Sequence, residues 1–448
     1  MAEVTEAARH GLLRNRAFIA LWAAQVLSQT AANAVTSALI ILVAEITHSN
    51  TSSSILILLA IIPAVLFGFA GGVIVDRTDR RLVLVVTNAL RAVAIVPLVL
   101  AGESVATAYL VNFLVASVTI FFVPAEAATI PSIVRKRDLL VANSLFTFTF
   151  NGAFLIGFII LAPIVVSLYG FNALWFTVAA MFAVASVLCL TLPPAPPAPS
   201  LLSVELAEKA FSETRRGIAE AFHYLRSTPL VTWAMIYIAL TYTLVAVAGA
   251  LAPGFVREVL RLGERNVVVL VGPAGVGVVA GLGLLNVVSS RIGRPHAIGA
   301  GLMVTAVALL SLAAARPFAD LFAESRFGGG LGGALPFFIG IVSVTAFVFG
   351  IAYSFITVPA MTLLQEELPD DIRGRVFGVL NSLVSIFSFL PLIIVGPIAD
   401  VWGIAPVFVL GALIVFGVWL GGRRERLRAG RGTSPNVAKF THGADPHA

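Results

Sequence analysis

The chain has 448 residues, 59% hydrophobic and only 12% charged, with a mean hydropathy of +0.99 and a formal net charge of +6. A soluble domain carries about 25% charged residues, so this composition excludes a water-soluble enzyme or binding module. The isoelectric point near 9.9 does not imply nucleic acid, because every basic residue but one lies in the loops and terminal segments outside the apolar stretches.

In chain order, a basic segment at 1–16 leads into apolar stretches at 17–44, 54–75, 83–101, 105–126, 141–168 and 172–192. Six more follow at 230–252, 266–289, 297–315, 334–364, 376–399 and 404–421. A run of about 18 or more apolar residues is long enough to cross the hydrocarbon core as a helix. The expected architecture is therefore an all-α membrane protein with twelve transmembrane helices. They divide into an N-terminal six-helix bundle at 17–192 and a C-terminal one at 230–421. The first apolar run is too long for the core of a signal peptide.

Between the bundles lies a linker at 193–229. It opens with a proline-rich run, Pro193 to Pro199, which favours an extended segment. Phe211, Ile218, Phe222 and Leu225 then share one helical face, with Glu213, Arg215, Arg216 and Glu220 on the other. This reads as a cytoplasmic amphipathic helix that lies on the membrane surface or simply tethers the two halves. The loop from Ala315 to Pro336, rich in glycine, is expected to be flexible and external. The tail at 422–448 begins with five arginines between Arg423 and Arg431, a juxtamembrane anchor for anionic lipid followed by disorder.

Loop charge sets the orientation. With the N-terminus inside, 23 of the 29 Lys and Arg residues fall on the cytoplasmic side and Arg91 lies within a span. This positive-inside bias places both termini in the cytoplasm of a cell whose plasma membrane holds the protein. The halves also repeat. Val123-Pro124-Ala125 returns as Val358-Pro359-Ala360, and Asn143-Ser144-Leu145 as Asn381-Ser382-Leu383, at offsets of 235 and 238 residues. Arg77-Thr78-Asp79-Arg80 has a looser counterpart in Arg291-Ile292-Gly293-Arg294. Repeated bundles around a midplane site suit alternating access, in which one half rocks against the other.

The loop after span 2 carries Gly72, Asp76, Arg77, Arg80 and Arg81. Their spacing resembles the G-x-x-x-D-R-x-G-R-R/K signature of the major facilitator superfamily. Phe121 to Ala125, Ile130-Pro131, Ala142 to Leu145 and Arg373 to Val376 resemble its macrolide-efflux and enterobactin-exporter branch. The pattern departs in three places. Asp79 stands for the usual glycine, and Ser290 occupies the second-half position of Asp76. The Gly-Pro antiporter signature of span 5 is reduced to Gly152, Gly157 and Pro163, with Ala162 before the proline.

The resemblance implies that Asp76 accepts hydrogen bonds from the start of span 11, near Arg375 and Val376, latching the cytoplasmic side. A carboxylate suits a helix start, where backbone N–H groups are free and the dipole is positive. Arg77, Arg80 and Arg81 would brace that loop or meet anionic lipid. It also implies a cavity lined by spans 1, 4, 7 and 10, with Gln25, Gln29, Asn33, Asn112, Tyr237, Tyr242, Phe347, Tyr353 and Phe355 as candidate liners; helix packing accounts for most of those aromatics equally well. Relatives often carry an acid near the Asn33 position.

Arg91 is the one basic residue deep in a span. An arginine at the bilayer centre costs about 2.5–3.5 kcal/mol on insertion scales, so it is expected to pair. Glu126, at comparable depth on span 4, is the partner the spacing offers. The alternative is that Arg91 snorkels to the headgroups. Five glycines from Gly272 to Gly283 are expected to let helices approach closely; the G-x-G pattern among them lies in a span with no preceding strand, so it is no nucleotide fingerprint. No cofactor, metal cluster or catalytic motif is expected.

The reading is a secondary transporter that exports small amphipathic molecules, of drug, macrolide or siderophore type, driven by an ion gradient such as protons. The rivals are a facilitator or importer of a metabolite or lipid on the same fold, and a non-transporting membrane receptor or scaffold. Reporter fusions at each terminus are expected to read cytoplasmic; termini on opposite faces would break the two-bundle reading.

Overall fold

The computed structural model describes residues 12, 14–100, 102–194, 228–288, 293–324, 331–368 and 370–432. The amphipathic stretch around Phe211, Ser290, the glycines from Gly328 to Gly330 and the tail beyond residue 432 lie outside the described residues. Hydrocarbon offers no water to a backbone N–H or C=O, so an apolar run of this length bonds to itself as a helix. The helices are α1 (Arg16–Thr47), α2 (Asn50–Asp76), α3 (Arg80–Leu100), α4 (Val105–Ile133), α5 (Leu139–Phe154) and α6 (Ala162–Leu190). They continue with α7 (Pro229–Glu258), α8 (Val268–Val288), α9 (Arg294–Glu324), α10 (Leu331–Glu367), α11 (Asp370–Trp402) and α12 (Ile404–Gly432). A π-helical segment, Leu155–Leu161, joins α5 to α6.

Among the described residues, nine helices are long and apolar enough to cross a membrane, and Asn50–Ala64 and Phe389–Trp402 are shorter apolar helices. One of the nine is the 50-residue run Val141–Leu190. It turns at Gly170, with φ 81° and ψ 176°, a conformation open essentially to glycine alone. The turn separates the stretches predicted at 141–168 and 172–192. The expected outer loop at 315–336 is corrected: α9 continues to Glu324 and α10 starts at Leu331, so Gly332 and Gly333 belong to a helix. Leucine, phenylalanine and alanine on both sides of that region sustain the helical run.

Packing follows the repeat. In the first half α1 and α3 lie against α6, and α2 and α3 against α4; in the second α8 and α9 lie against α10, α9 against α12, and α7 against α10 and α11. Adding six to each number carries α2–α4 onto α8–α10 and α3–α6 onto α9–α12. Two seams that the same shift exchanges, α2 with α11 and the π-segment with α8, join the halves, and α7 also lies against α1 and α2. The chain alternates between a terminal end, where Asn15 at the start of α1 donates to the Ile133 carbonyl at 2.7 Å, and a distal end, where His48 meets Glu264 at 2.9 Å.

Small residues set the closest approach. A Cβ at Gly277 would stand 2.0 Å from the Phe347 carbonyl oxygen, and one at Gly350 2.0 Å from that of Ala274, so α8 and α10 touch backbone to backbone. Gly281 makes a similar contact with α10, whereas Gly272 has only ordinary contacts and Gly283 has no neighbour within 4 Å. Gly350→Ala is expected to lower stability by about 1–3 kcal/mol, as overpacking does, while Gly283→Ala changes little. Thermal unfolding of the two variants in detergent checks the contrast.

Candidate functional site

Arg91 is fully buried. It lies where α1, α3, α4 and α6 meet, and it does not snorkel. Its Nη1 donates to Ser28 Oγ at 2.6 Å, and Ser28 Oγ in turn donates to Asn88 Oδ1 at 2.8 Å. Its guanidinium lies 4.5 Å from the Phe122 ring centre and 5.7 Å from that of Phe182, so aromatic faces replace part of its hydration. Glu126 is buried in the same region, 6% exposed, and interacts with Arg91 through space. The two share a neighbourhood without an N–O contact inside 4 Å. Arg91 Nε and Nη2 and Glu126 Oε1 have no hydrogen-bond partner in the protein.

Of the polar row on α1, Gln25 reaches another helix of its own half. Gln25 Nε2 donates to the Phe146 carbonyl of α5 at 3.3 Å, and Trp22 Nε1 donates to Thr149 Oγ1 at 2.7 Å. Gln29 is buried, with Nε2 unpartnered. Asn33 Nδ2 turns back to the Gln29 carbonyl at 2.8 Å. Asn112 donates to the Leu56 carbonyl at 2.6 Å, tying α4 to α2. Tyr237 is buried beside Trp233 at the terminal end of α7. The Phe347 backbone lies in the α8–α10 contact and Phe355 meets Gly301 of α9.

Tyr353 is different. It lines a cavity of about 420 Å³ between the halves, together with Phe154 and Phe158, Gly249 of α7, Val278 of α8 and Phe349 of α10. Tyr242 meets Tyr353 edge to face, with ring centres 6.4 Å apart. Tyr353 is the one lining residue with a polar side chain, and its hydroxyl hydrogen-bonds with Tyr242. The π-segment shapes this cavity. Its wider turns leave the Phe158 carbonyl free to accept from Ser37 Oγ at 2.8 Å, while Phe154 and Phe158 stack at 5.2 Å. Such single-turn π insertions concentrate at functional sites. Phe148, Val279 and Leu282 line the same cavity and are exposed, so its mouth opens on apolar surface.

At the terminal end, Asp79 Oδ1 accepts from the Arg81 backbone N–H at 2.9 Å. The residue that departs from the family's glycine therefore caps α3. Arg80 donates to the Ala128 carbonyl at 3.0 Å, and Arg81 to the Leu190 carbonyl. Arg77 is exposed at the end of α2. The side chains of Asp76 and Arg375 lie outside the described residues, as does the Gly72 position's packing. Arg294 forms a two-pronged ion pair with Glu366, binding α9 to α10.

The distal end carries contacts that the sequence did not disclose. Asp400, at the end of α11, accepts from the backbone N–H of Asn50 at 2.7 Å and of Thr51 at 3.0 Å, and from the hydroxyls of Ser49 at 2.7 Å and Thr51 at 2.6 Å. Asn50 Nδ2 donates to Glu258 Oε1 of α7 at 3.2 Å. Arg265 pairs with Glu45 at 2.8 Å and lies over the Phe171 ring at 5.1 Å. All of these join one half to the other. The only sequence signal was an acid near a helix end, which is indistinguishable from an ordinary solvated one.

Two repeated helical bundles, joined along two seams around an apolar cavity, define a membrane transporter. The Major Facilitator Superfamily profile matches residues 21–390, and the chain belongs to that family. It is 26% identical over 401 residues to the multidrug efflux pump Tap of Mycolicibacterium fortuitum, covering 84% of this chain and 89% of that protein. It is 22% identical over 376 residues to YfiS of Bacillus subtilis (strain 168), named as an uncharacterized MFS-type transporter, covering 82% and 83%. In fold it is similar to a bacterial homolog of the human lysosomal transporter Spinster, with TM-score 0.66, 13% identity and coverage of 93% and 98%. It is likewise similar to the nucleoside transporter NupG, with TM-score 0.60, 16% identity and coverage of 91% and 98%.

Removing one charge of a buried, coupled pair strands the other. Arg91→Met is expected to lower stability by about 3 kcal/mol, and adding Glu126→Gln is expected to recover part of that loss. Thermal unfolding of the single and double variants measures the coupling; strictly additive losses would mean the two side chains act independently.

Proposed function

We propose that this transporter exports small amphipathic molecules across the plasma membrane by alternating access, with both termini in the cytoplasm. The observation that carries the reading is the apolar cavity at Tyr353 and Phe158. Such a wall suits the hydrophobic body of a drug-like compound, and the Tyr242–Tyr353 pair offers it a hydroxyl for orientation. The similarity to Tap supports the same direction of transport. A strongly polar metabolite would leave its own hydrogen bonds unmet against these side chains.

Energy enters as protons in this proposal. Glu126 is the acid deepest in the first half, and its coupling to Arg91 would let a proton change the balance among α1, α3, α4 and α6. Asp76 would latch the cytoplasmic side by accepting from the start of α11, while Arg77, Arg80, Arg81 and Arg375 hold the loop ends and meet anionic lipid.

In cells that express the protein, amphipathic dyes and antibiotics are expected to accumulate severalfold less than in control cells. A protonophore is expected to abolish the difference. Asp76→Asn is expected to reduce efflux with near-normal membrane insertion, and Glu126→Gln to remove the dependence on the proton gradient. Efflux unchanged by the protonophore would favour a facilitator, and flux of no compound would favour a receptor.

A further inference from the structure

The structure assigns to Asp400 the role of a distal latch, closing the outer side in the proposed topology by capping the first turn of α2 from the opposite half. The inference rests on the alternating-access reading above. Helix α2 begins at the distal end and α11 finishes there, so the two run antiparallel across the seam. The start of α2 exposes backbone N–H groups with no partner inside the helix. Those of Asn50 and Thr51 both find their acceptor in Asp400. The Ser52 N–H is taken by Ser49 Oγ, the helix's own N-cap just before its first residue. An N-cap normally comes from the residue just before its own helix. Here half of that duty falls to a carboxylate 349 positions away in the sequence, so the cap is complete only when the halves are together.

A second, independent feature supports the latch. Gly396 precedes Asp400 by one helical turn on the same face. A Cβ there would stand 2.7 Å from Thr51 Cα and 3.1 Å from the Asn50 carbonyl oxygen. The absence of a side chain lets α11 come close enough for Asp400 to reach the α2 N–H groups. Helix α7 repeats the device. Gly254 lies against Asn50, where a Cβ would be 2.0 Å from Oδ1, and Glu258, one turn on, accepts from the same asparagine. Two helices of the second half thus each present a glycine and, four residues later, an acid to the first turn of α2.

The latch also differs from a ground-state helix cap in what opening does to it. When the halves part at this end, Asp400 and the α2 N–H groups both return to water, which is close at hand because Asp400 is exposed. Opening exchanges protein hydrogen bonds for water ones, so the bond biases the equilibrium without freezing it.

The test uses the full chain in lipid nanodiscs in a Cys189→Ala background. Spin labels are placed on the distal ends of the two halves through Ala106→Cys and Arg316→Cys, both exposed positions. Pulsed electron-electron resonance reads the distance between them. Asp400→Asn is expected to raise the ratio of long to short distances by about tenfold, since a charge-assisted hydrogen bond has a net worth of about that factor. Gly396→Ala is expected to shift the distances in the same direction by spacing the helices. If Asp400→Asn does not yield folded protein, Thr51→Val and Gly396→Ala carry the same expectation. Distance distributions that match the parent in every folded variant overturn the latch. Efflux retained with unmoved distances sinks the latch alone; distances that shift in a protein moving no compound leave the latch standing and sink the export reading.

Discussion

A backbone N–H or C=O in hydrocarbon has no water to fall back on, and each helix therefore consumes its own hydrogen-bonding groups along its length. Only at the ends are they free. This restricts how two bundles can hold each other and still let go. Along their middles helices meet chiefly by close packing, as at Gly277 and Gly350 within the second half, where backbone touches backbone. Their ends can be joined by charge, because the exposed first turn of a helix is a fixed, partly positive target. Asp400 of α11 exploits that target at the start of α2, and so does Asp79 at the start of α3 within one half.

The fold was legible because hydrophobic length and helix are nearly synonymous in a bilayer. The stretches at 17–44, 83–101 and 230–252 correspond to α1, α3 and α7, and the repeated Val-Pro-Ala and Asn-Ser-Leu tripeptides anticipated a packing pattern that maps onto itself by a shift of six helices. Local irregularities were hidden in part for the same reason. The break at Gly170 falls between the stretches expected at 141–168 and 172–192, but the π-segment sits inside an unbroken apolar run, where hydropathy carries no information about an extra residue. Likewise the loop expected after Ala315 proved largely helical, since glycine lowers helix propensity without forbidding a helix.

The candidate site was legible in part. Depth counting brought Arg91 and Glu126 to one level, yet it could not foresee that Ser28 and two phenylalanine rings would intervene. Assignment of cavity liners by span number gathered Tyr242 and Tyr353, whose rings meet edge to face. It also gathered Asn112, Tyr237 and Phe355, which the structure finds bonded or packed against α2, α12 and α9. Facing is a matter of helix rotation, about 100° per residue, and a span number says nothing about rotation. The contacts of Asp400 lay beyond reach because they join residues far apart in the chain with no motif on either side.

The π-segment has an evolutionary consequence. Its extra residue per turn arises when one amino acid is inserted into a continuous helix, so excising a single residue from 155–161 would restore ordinary α-geometry. The flanking helices would keep their facing, because the wide turn absorbs the extra residue locally; what would change is the bulge itself, which carries Phe158 at the cavity wall and Gly157 against the Thr30 carbonyl. Relatives aligned to this chain should accordingly differ in length within this transmembrane stretch as well as in loops, and such an indel offers evolution a one-step means of reshaping what the protein accepts.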